Sequence, residues 1–244
     1  MTTSTSLRDI VIENVNSASV LEKYGLDFCC RGGISLKEAC STKRIDTERV
    51  FAELSEVGYD DSSQRFFLWE LPFLIDYILN NHHTYVKHQI PIIALHLEKV
   101  IHEHGEKYPE VREVNAIFRI YSKELGHHMM KEEKILFPFI KELATSFAKG
   151  GEPSRVHFGS VGAPIAIMRE EHADVGKELA HIRNLLGNYI PPNDACATTQ
   201  LVYKELEAFE KDLHKHVFLE NAILFPKAIS MENELKQTEI HEMN

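Results

Sequence analysis

The chain has 244 residues, of which 43% are hydrophobic and 26% are charged. This balance is typical of a folded globular protein and excludes global disorder, while 12 glycines and 9 prolines are too few for a collagen-like chain. The formal net charge of −10 argues against an extended phosphate-binding surface, so we expect no nucleic-acid partner. The unusual feature of the composition is its 14 histidines.

Targeting signals and a disulfide framework are not expected. The N-terminal residues show no basic stretch followed by an apolar one, and no apolar run approaches the ~18 residues that a membrane span needs. Two of the four cysteines are adjacent, which is a poor basis for structural disulfides; they are Cys29, Cys30, Cys40 and Cys196. These features predict a reduced, cytoplasmic protein without a membrane partner.

Apolar residues recur at i, i+3, i+4 and i+7 along most of the chain, and alternating apolar and polar runs are scarce, which predicts an all-α fold. Residues 1–57 have the pattern of a small helical domain, in which Ser17, Ser35 and Asp46 are candidate helix N-caps. The polar, glycine-containing stretch 58–65 that follows is typical of a linker.

Four long helical patterns come after the linker, near residues 70–104, 109–145, 161–187 and 194–230. Glycine and proline mark each break between them. Pro91 lies inside the first pattern and is expected to kink or interrupt that helix. Four long helices joined mostly by short loops predict an up-down bundle over residues 66–232.

The second and fourth of these helices share a motif. His128 and Glu132 are followed by Ile-Leu-Phe-Pro, and so are His216 and Glu220, with six identities at a constant offset of 88 residues. A similar spacing relates the preceding helices, where His83 lies 45 residues before His128 and His172 lies 44 residues before His216. The bundle is therefore predicted to be a duplicated helical hairpin.

The repeat predicts a metal site. Residues at i and i+4 lie on one face of a helix, so each His-x-x-x-Glu can aim both side chains at one point. Two carboxylates can bridge two metal ions, and two imidazoles can bind each ion. Nitrogen and oxygen donors without thiolate suit iron best, and manganese or zinc less well. The predicted ligands are His83, His128, Glu132, His172, His216 and Glu220.

Other histidines are alternatives. A single His-x-x-x-Glu is usually a solvated ion pair, and a register error of one residue would exchange the ligands for His82 and His127. His104, at the end of the first helix, is a candidate for a spare ligand or a metal-entry path. Most of the others are assigned to the surface: His88, His102, His157, His181, His214 and His241.

Three segments resemble a known family. Residues 24–33, YGLDFCCRGG, are similar to the Cys-Cys signature of a ScdA-type N-terminal module, and HHMMKEEKILFP and LENAILFP are similar to the metal-binding stretches of hemerythrin-like HHE domains. Nearly the whole chain resembles the repair-of-iron-centres (RIC) di-iron proteins. The resemblance implies two non-haem iron ions, with or without a bridging oxo group, on the six residues named above. It also implies a homodimer.

One position departs from the oxygen-carrying hemerythrins. Those proteins place a second histidine one turn after the histidine of the third helix, and here that position is Gly176. We therefore expect fewer imidazoles and more open positions at the site. Open positions favour binding of nitric oxide or oxygen, and fewer ligands favour release of iron.

The resemblance implies repair of iron–sulfur clusters damaged by nitrosative or oxidative stress. Two routes stay open: iron is donated to apo iron–sulfur proteins, or nitric oxide is reduced to nitrous oxide, which would make the protein an enzyme. The alternative is a hemerythrin-like protein that binds or senses oxygen or nitric oxide, or stores iron, without turnover.

The adjacent cysteines have two interpretations. Cys29 and Cys30 can close only a strained eight-membered ring, Arg31 can favour a thiolate, and the following glycines permit a tight, exposed turn. With the resemblance, this favours a redox or transfer site for nitrosyl groups, iron or electrons. The alternative is a pair of small buried hydrophobic residues. Cys40 and Cys196 are assigned structural roles.

Overall fold

The computed structural model describes residues 1–29, 32–58, 65–150 and 160–242. Within these ranges the secondary structure is helical, with one isolated bridge between Ser6 and Ser35 and no strand. The prediction of an all-α fold is confirmed. None of the described helices combines the length and apolarity that a bilayer crossing requires.

The N-terminal part contains four short helices: α1 (Leu7–Glu13), α2 (Ser17–Lys23), α3 (Leu36–Lys43) and α4 (Thr47–Glu56). Ser35 caps α3, and its backbone N–H donates in return to the Glu38 carboxylate. Asp46 caps α4. The prediction for Ser17 is wrong, because its buried side chain already belongs to the first turn of α2 and Asn16 is the N-cap.

The remaining helices are α5 (Arg65–Leu68), α6 (Leu71–Tyr77), α7 (Thr84–His104), α8 (Glu110–Lys131), α9 (Phe137–Lys149), α10 (Gly162–Leu185), α11 (Ala197–Phe218) and α12 (Phe225–Glu242). Short π-helical segments join three pairs of them end to end: Ile78–His83, Glu132–Leu136 and Leu219–Leu224. The result is four long helices. Helix α7 packs on α8 and α11, and α10 packs on the same two, which closes the predicted four-helix bundle.

Two details of the long helices differ from the sequence prediction. Helix α7 is not interrupted at Pro91, which lies on an exposed face where the carbonyl that loses its hydrogen bond can meet water, and a kink at this position stays a prediction. Helix α12 continues to Glu242 rather than ending near residue 230, since this segment is rich in Glu, Leu, Lys and Gln, which favour helix.

Two hydrophobic clusters divide the bundle along its length. One lies among α7, α8, α10 and α11 and includes Phe118 and Phe209. The other joins α6, α9 and α12 to the N-terminal helices and includes Leu21, Phe137 and Phe225. On each long helix the change from one cluster to the other falls beside the predicted metal ligands. The site therefore lies inside the molecule, where the two cores meet.

Candidate metal centre

The structure brings the six predicted ligands together in two buried groups that share both glutamates. One group is His83, Glu132, His216 and Glu220, and the other is His128, Glu132, His172 and Glu220. In each group the possible ligand atoms lie within 4.8 Å of one another. The two carboxylates are 0% exposed, and no histidine of the six exceeds 3%. Each group is thus able to hold a metal ion away from water.

Each carboxylate faces both histidine pairs. Glu132 places Oε2 3.4 Å from His83 Nε2 and Oε1 3.3 Å from His128 Nε2. Glu220 places Oε1 3.0 Å from His216 Nε2 and Oε2 3.1 Å from His172 Nε2. One oxygen of each glutamate therefore belongs to each group, which is the arrangement that two bridging carboxylates require.

The paired imidazoles also converge on common points. His83 Nε2 and His216 Nε2 are 3.2 Å apart, and His128 Nε2 and His172 Nε2 are 3.0 Å apart. Two nitrogens that each lie about 2.1 Å from one ion, at a right angle, are about 3.0 Å from each other. Both oxygens of Glu132 are buried without a hydrogen-bond partner among the described residues. A cation in each group would satisfy these atoms, so the residues fit a metal.

The carboxylates and imidazoles of the site stabilise each other's charged forms. Burial and the Glu220 carboxylate raise the pKa of Glu132, but His128 and His83 outweigh them and hold it at about 2. Burial lowers the pKa of His128, but the two carboxylates outweigh it and raise this pKa to about 9. The carboxylates stay ionised at neutral pH, and metal ions can replace the imidazole protons that balance them.

Two of the histidines are oriented by carboxylates outside the groups. The Nδ1 atom of His83 lies 2.8 Å from Glu133, which also pairs with Lys87 at 2.6 Å. The Nδ1 atom of His128 lies 2.7 Å from Glu171, which also pairs with Lys131. A hydrogen bond at Nδ1 fixes the ring and leaves Nε2 for a metal.

Among the described residues, the other two histidines have different surroundings at Nδ1. The Nδ1 atom of His172 lies 3.1 Å from the side-chain oxygen of Asn221. The Nδ1 atom of His216 has no hydrogen-bond partner among the described residues, and the ring of His82 stacks on this imidazole with centroids 5.6 Å apart. The two groups therefore hold the same donors in different surroundings.

The alternative histidines lie outside both groups. His82 is buried, with Nδ1 2.9 Å from Asp212, and His127 is exposed. His104 lies at the end of α7, where its ring contacts Tyr108. The structure thus brings together the residues that the repeat spacing selected and leaves their neighbours apart.

His214 and Cys29 are both buried in the structure. The assignment of His214 to the surface is wrong, because the N-terminal helices cover it and bring Glu22 to 3.4 Å from its Nδ1. Cys29 is 7% exposed, and its thiol donates to Asp27 across 3.3 Å. Cys30 lies outside the described residues.

A cavity of about 490 Å³ lies beside the site. It is lined by His128 and by the pair of Lys131 and Glu171, together with other residues of α8 and α10. Of the six predicted ligands, only His128 lines this cavity.

Neither the π-helical segments nor the residues that orient the imidazoles follow from the helical pattern of the sequence. The π segments begin or end beside the ligands, and the N–H of Phe137 and that of Phe225 each bond five residues back, to the carbonyls of Glu132 and Glu220. A proline follows each phenylalanine, which was the available signal. The orienting residues are direct sequence neighbours of the ligands: Glu133, Glu171 and Asn221.

Comparison with protein families agrees with this architecture. Residues 74–228 match the hemerythrin HHE cation binding domain. Residues 3–58 match ScdA_N, a domain of unknown function (DUF542). The first match covers the whole candidate site, and the second covers the four N-terminal helices.

Relatives match over most of the chain. The iron-sulfur cluster repair protein YtfE of Enterobacter sp. (strain 638) is 32% identical over 226 residues, which is 93% of this chain and 97% of the relative. The iron-sulfur cluster repair protein ScdA of Staphylococcus haemolyticus is 31% identical over 228 residues, 93% of this chain and 99% of the relative. The chain belongs to the family of these YtfE and ScdA proteins, in which a ScdA_N module precedes a hemerythrin HHE cation binding domain.

Proposed function

We propose that the chain binds two iron ions and repairs iron–sulfur clusters. His83 and His216 would hold one ion and His128 and His172 the other, and Glu132 and Glu220 would each offer one carboxylate oxygen to each ion. The observation that carries this proposal is that each buried carboxylate directs one oxygen to each imidazole pair. A single ion would leave half of these donors unsatisfied in the interior.

The donor set favours iron. Each group offers two nitrogens and two oxygens and no thiolate, which suits iron better than a structural zinc site. Four protein donors leave positions open to small ligands on a metal that accepts up to six. Gly176, where hemerythrins carry another histidine, lines a second cavity of about 490 Å³. Bound iron supplies redox chemistry and affinity for diatomic ligands.

Iron donation to damaged or apo iron–sulfur proteins is the route we favour. The cavity lined by His128 borders one of the two groups, and the ion pair of Lys131 and Glu171 lines the same cavity. The relatives are named for iron–sulfur cluster repair. We propose that the client proteins are apo iron–sulfur proteins in the cytoplasm, and that the damage is nitrosative or oxidative.

The decisive experiment compares iron-loaded wild type with iron-treated Glu132→Gln. Bound iron is measured per chain, and an inactivated apo iron–sulfur enzyme is then incubated with each protein. We expect wild type to hold two ions and to restore enzyme activity, and the variant to do neither. Two bound ions without restored activity would leave a binding or storage protein. Fewer than one ion in folded wild type would refute the metal site itself.

Reduction of nitric oxide is a second candidate, favoured by the open positions on two neighbouring ions. The reaction consumes two nitric oxide molecules, two electrons and two protons, and yields nitrous oxide and water. Mixing the diferrous protein with nitric oxide without oxygen tests it, because the two ferrous ions can supply the electrons. Nitrous oxide in the headspace supports a reductase, and none above background removes this route and leaves nitric oxide only as a ligand.

We also propose that residues 1–57 and 66–232 are two domains and that the protein is a homodimer. The composition change near residue 58 and the two family matches support the division. Sedimentation of the full chain tests the dimer, and a single species of about 28 kDa would exclude it.

A further inference from the structure

The side chain of Asn221 connects the cysteine-containing loop to the metal site. Its Oδ1 atom lies 3.1 Å from Nδ1 of His172, and its Nδ2 atom donates to the backbone carbonyl of Cys29 across 3.3 Å. Asn221 is 9% exposed and Cys29 is 7% exposed, so water competes little for these hydrogen bonds. One rigid amide therefore separates a predicted iron ligand from the Cys29 backbone.

The two hydrogen bonds require an amide at this position. His172 must present its Nδ1 hydrogen to an acceptor if Nε2 is to face the metal, and the Cys29 carbonyl requires a donor. In the other half of the bundle the equivalent residue is Glu133, which accepts from His83 and pairs with Lys87 instead. A carboxylate in place of Asn221 would orient His172 but would meet the Cys29 carbonyl as one acceptor against another.

The loop is fixed on its other side by α1. The carbonyls of Gly32 and Ile34 accept from the first backbone N–H groups of that helix at 2.9 and 3.0 Å. A Cβ atom on Gly32 would lie 2.0 Å from the Phe28 carbonyl, so this close approach requires glycine. The described residues before and after Cys30 are thus held in place by Asn221 and by α1, respectively.

We propose that Asn221 is a positioning residue that couples the Cys29 loop to the iron site. A metal ion that fixes His172 also fixes the amide, and the amide holds the loop against the bundle. By the same linkage, chemistry that displaces the loop loosens His172. This inference rests on the proposed binding of metal by His172 and is independent of cluster repair.

The test measures alkylation of the Cys29 thiol in metal-free protein and in protein saturated with ferrous iron under anaerobic conditions. Modified Cys29 is quantified by tandem mass spectrometry of the peptide. Because this thiol is 7% exposed, its alkylation reports opening of the loop. We expect iron to slow alkylation of wild type about fivefold or more. Asn221→Asp should bind iron through His172 as before and lose this protection.

Asn233→Asp is the matched control, since it makes the same amide-to-carboxylate change on an exposed face of α12, and it should keep the protection. Asn221→Ala, which removes both hydrogen bonds, should lose the protection and bind iron more weakly. Equal protection of Cys29 by iron in wild type and in Asn221→Asp would overturn the inference. It would also be overturned if iron did not protect Cys29 in wild type, or if Asn221→Asp were the only one of these proteins that failed to bind iron. Because cluster repair is not measured, its failure would leave these outcomes unchanged.

Discussion

The hairpin formed by α6–α9 and the hairpin formed by α10–α12 supply the same donors, namely one histidine from the first helix and His-x-x-x-Glu from the second. They differ immediately beside those donors. The residue after the bridging glutamate is Glu133 in one half and Asn221 in the other, and the residue before the single histidine is His82 in one half and Glu171 in the other. Duplication has kept the donors and changed what surrounds them.

The differences make the two groups unequal. The group of His83 and His216 has one imidazole oriented by a carboxylate and one whose Nδ1 lacks a hydrogen bond among the described residues. The group of His128 and His172 has a carboxylate and an amide, and a cavity lies beside it. The two groups thus offer the same donors and differ in the partners that orient their imidazoles and in the cavity beside one of them.

Substitution of the two carboxylates that both groups share should have the largest effect on iron content. Glu132→Gln and Glu220→Gln each remove a bridge to both groups, so either variant should fall below one iron per chain by elemental analysis. Removing one member of a buried charge cluster should also cost about 3–5 kcal/mol of unfolding free energy. Glu142→Gln, on an exposed face of α9, is the control and should keep its iron. A normal iron content in one bridging variant only would break the equivalence of the halves.

Removal of the metal should loosen both halves together. If free iron is present at about a thousand times its dissociation constant, binding adds about 4 kcal/mol of stability. For a chain of this size that corresponds to a rise of about 8–16 °C in melting temperature. Calorimetry of iron-loaded and chelator-treated protein measures this shift. Equal melting temperatures would mean that the ions are not bound at the junction of the two cores.

Substitution of a hydrogen-bond acceptor at histidine Nδ1 should weaken metal binding in only one of the two groups. Glu133→Ala removes the partner of His83 and Glu171→Ala that of His128, and each should weaken iron binding about 10–100-fold in its own group only. Competition with a graded series of chelators should then show one weakened and one normal ion. The matched variants Glu133→Gln and Glu171→Gln keep an acceptor and should lose less. Uniform weakening of both ions by either alanine variant would contradict two separate groups.

The inner part of the site could be predicted because helix periodicity fixes which residues share a face, and duplication supplied the partners. His128 with Glu132 and His216 with Glu220 follow from spacing alone. The outer part could not be predicted in this way, since the contacts of Glu171 and Asn221 cross between helices and depend on helix rotation. Those rotations are affected by π segments that an ideal period of 3.6 residues does not contain.

Contacts between segments that are distant in the sequence are a second feature that helix periodicity does not predict. His214 has a polar helical neighbourhood in the sequence, yet the N-terminal helices cover it and place Glu22 beside it. The burial of Cys29 has the same origin, because Asn221 lies 192 residues further along the chain. Amphipathic periodicity describes one helix at a time and does not show which module packs on its polar side.

The smallest difference between the two metal-binding groups should come from the lysines that pair with the outer carboxylates. Lys87 and Lys131 are partly exposed, so each ion pair contributes at most about 1 kcal/mol, or about a fivefold change in a rate. Lys131 lines the same cavity as His128, and its methionine variant should speed chelator-driven iron release by about two- to fivefold. Lys87→Met is the matched control and should change release less than about twofold. Equal acceleration by both variants would show that iron leaves by a route other than this cavity.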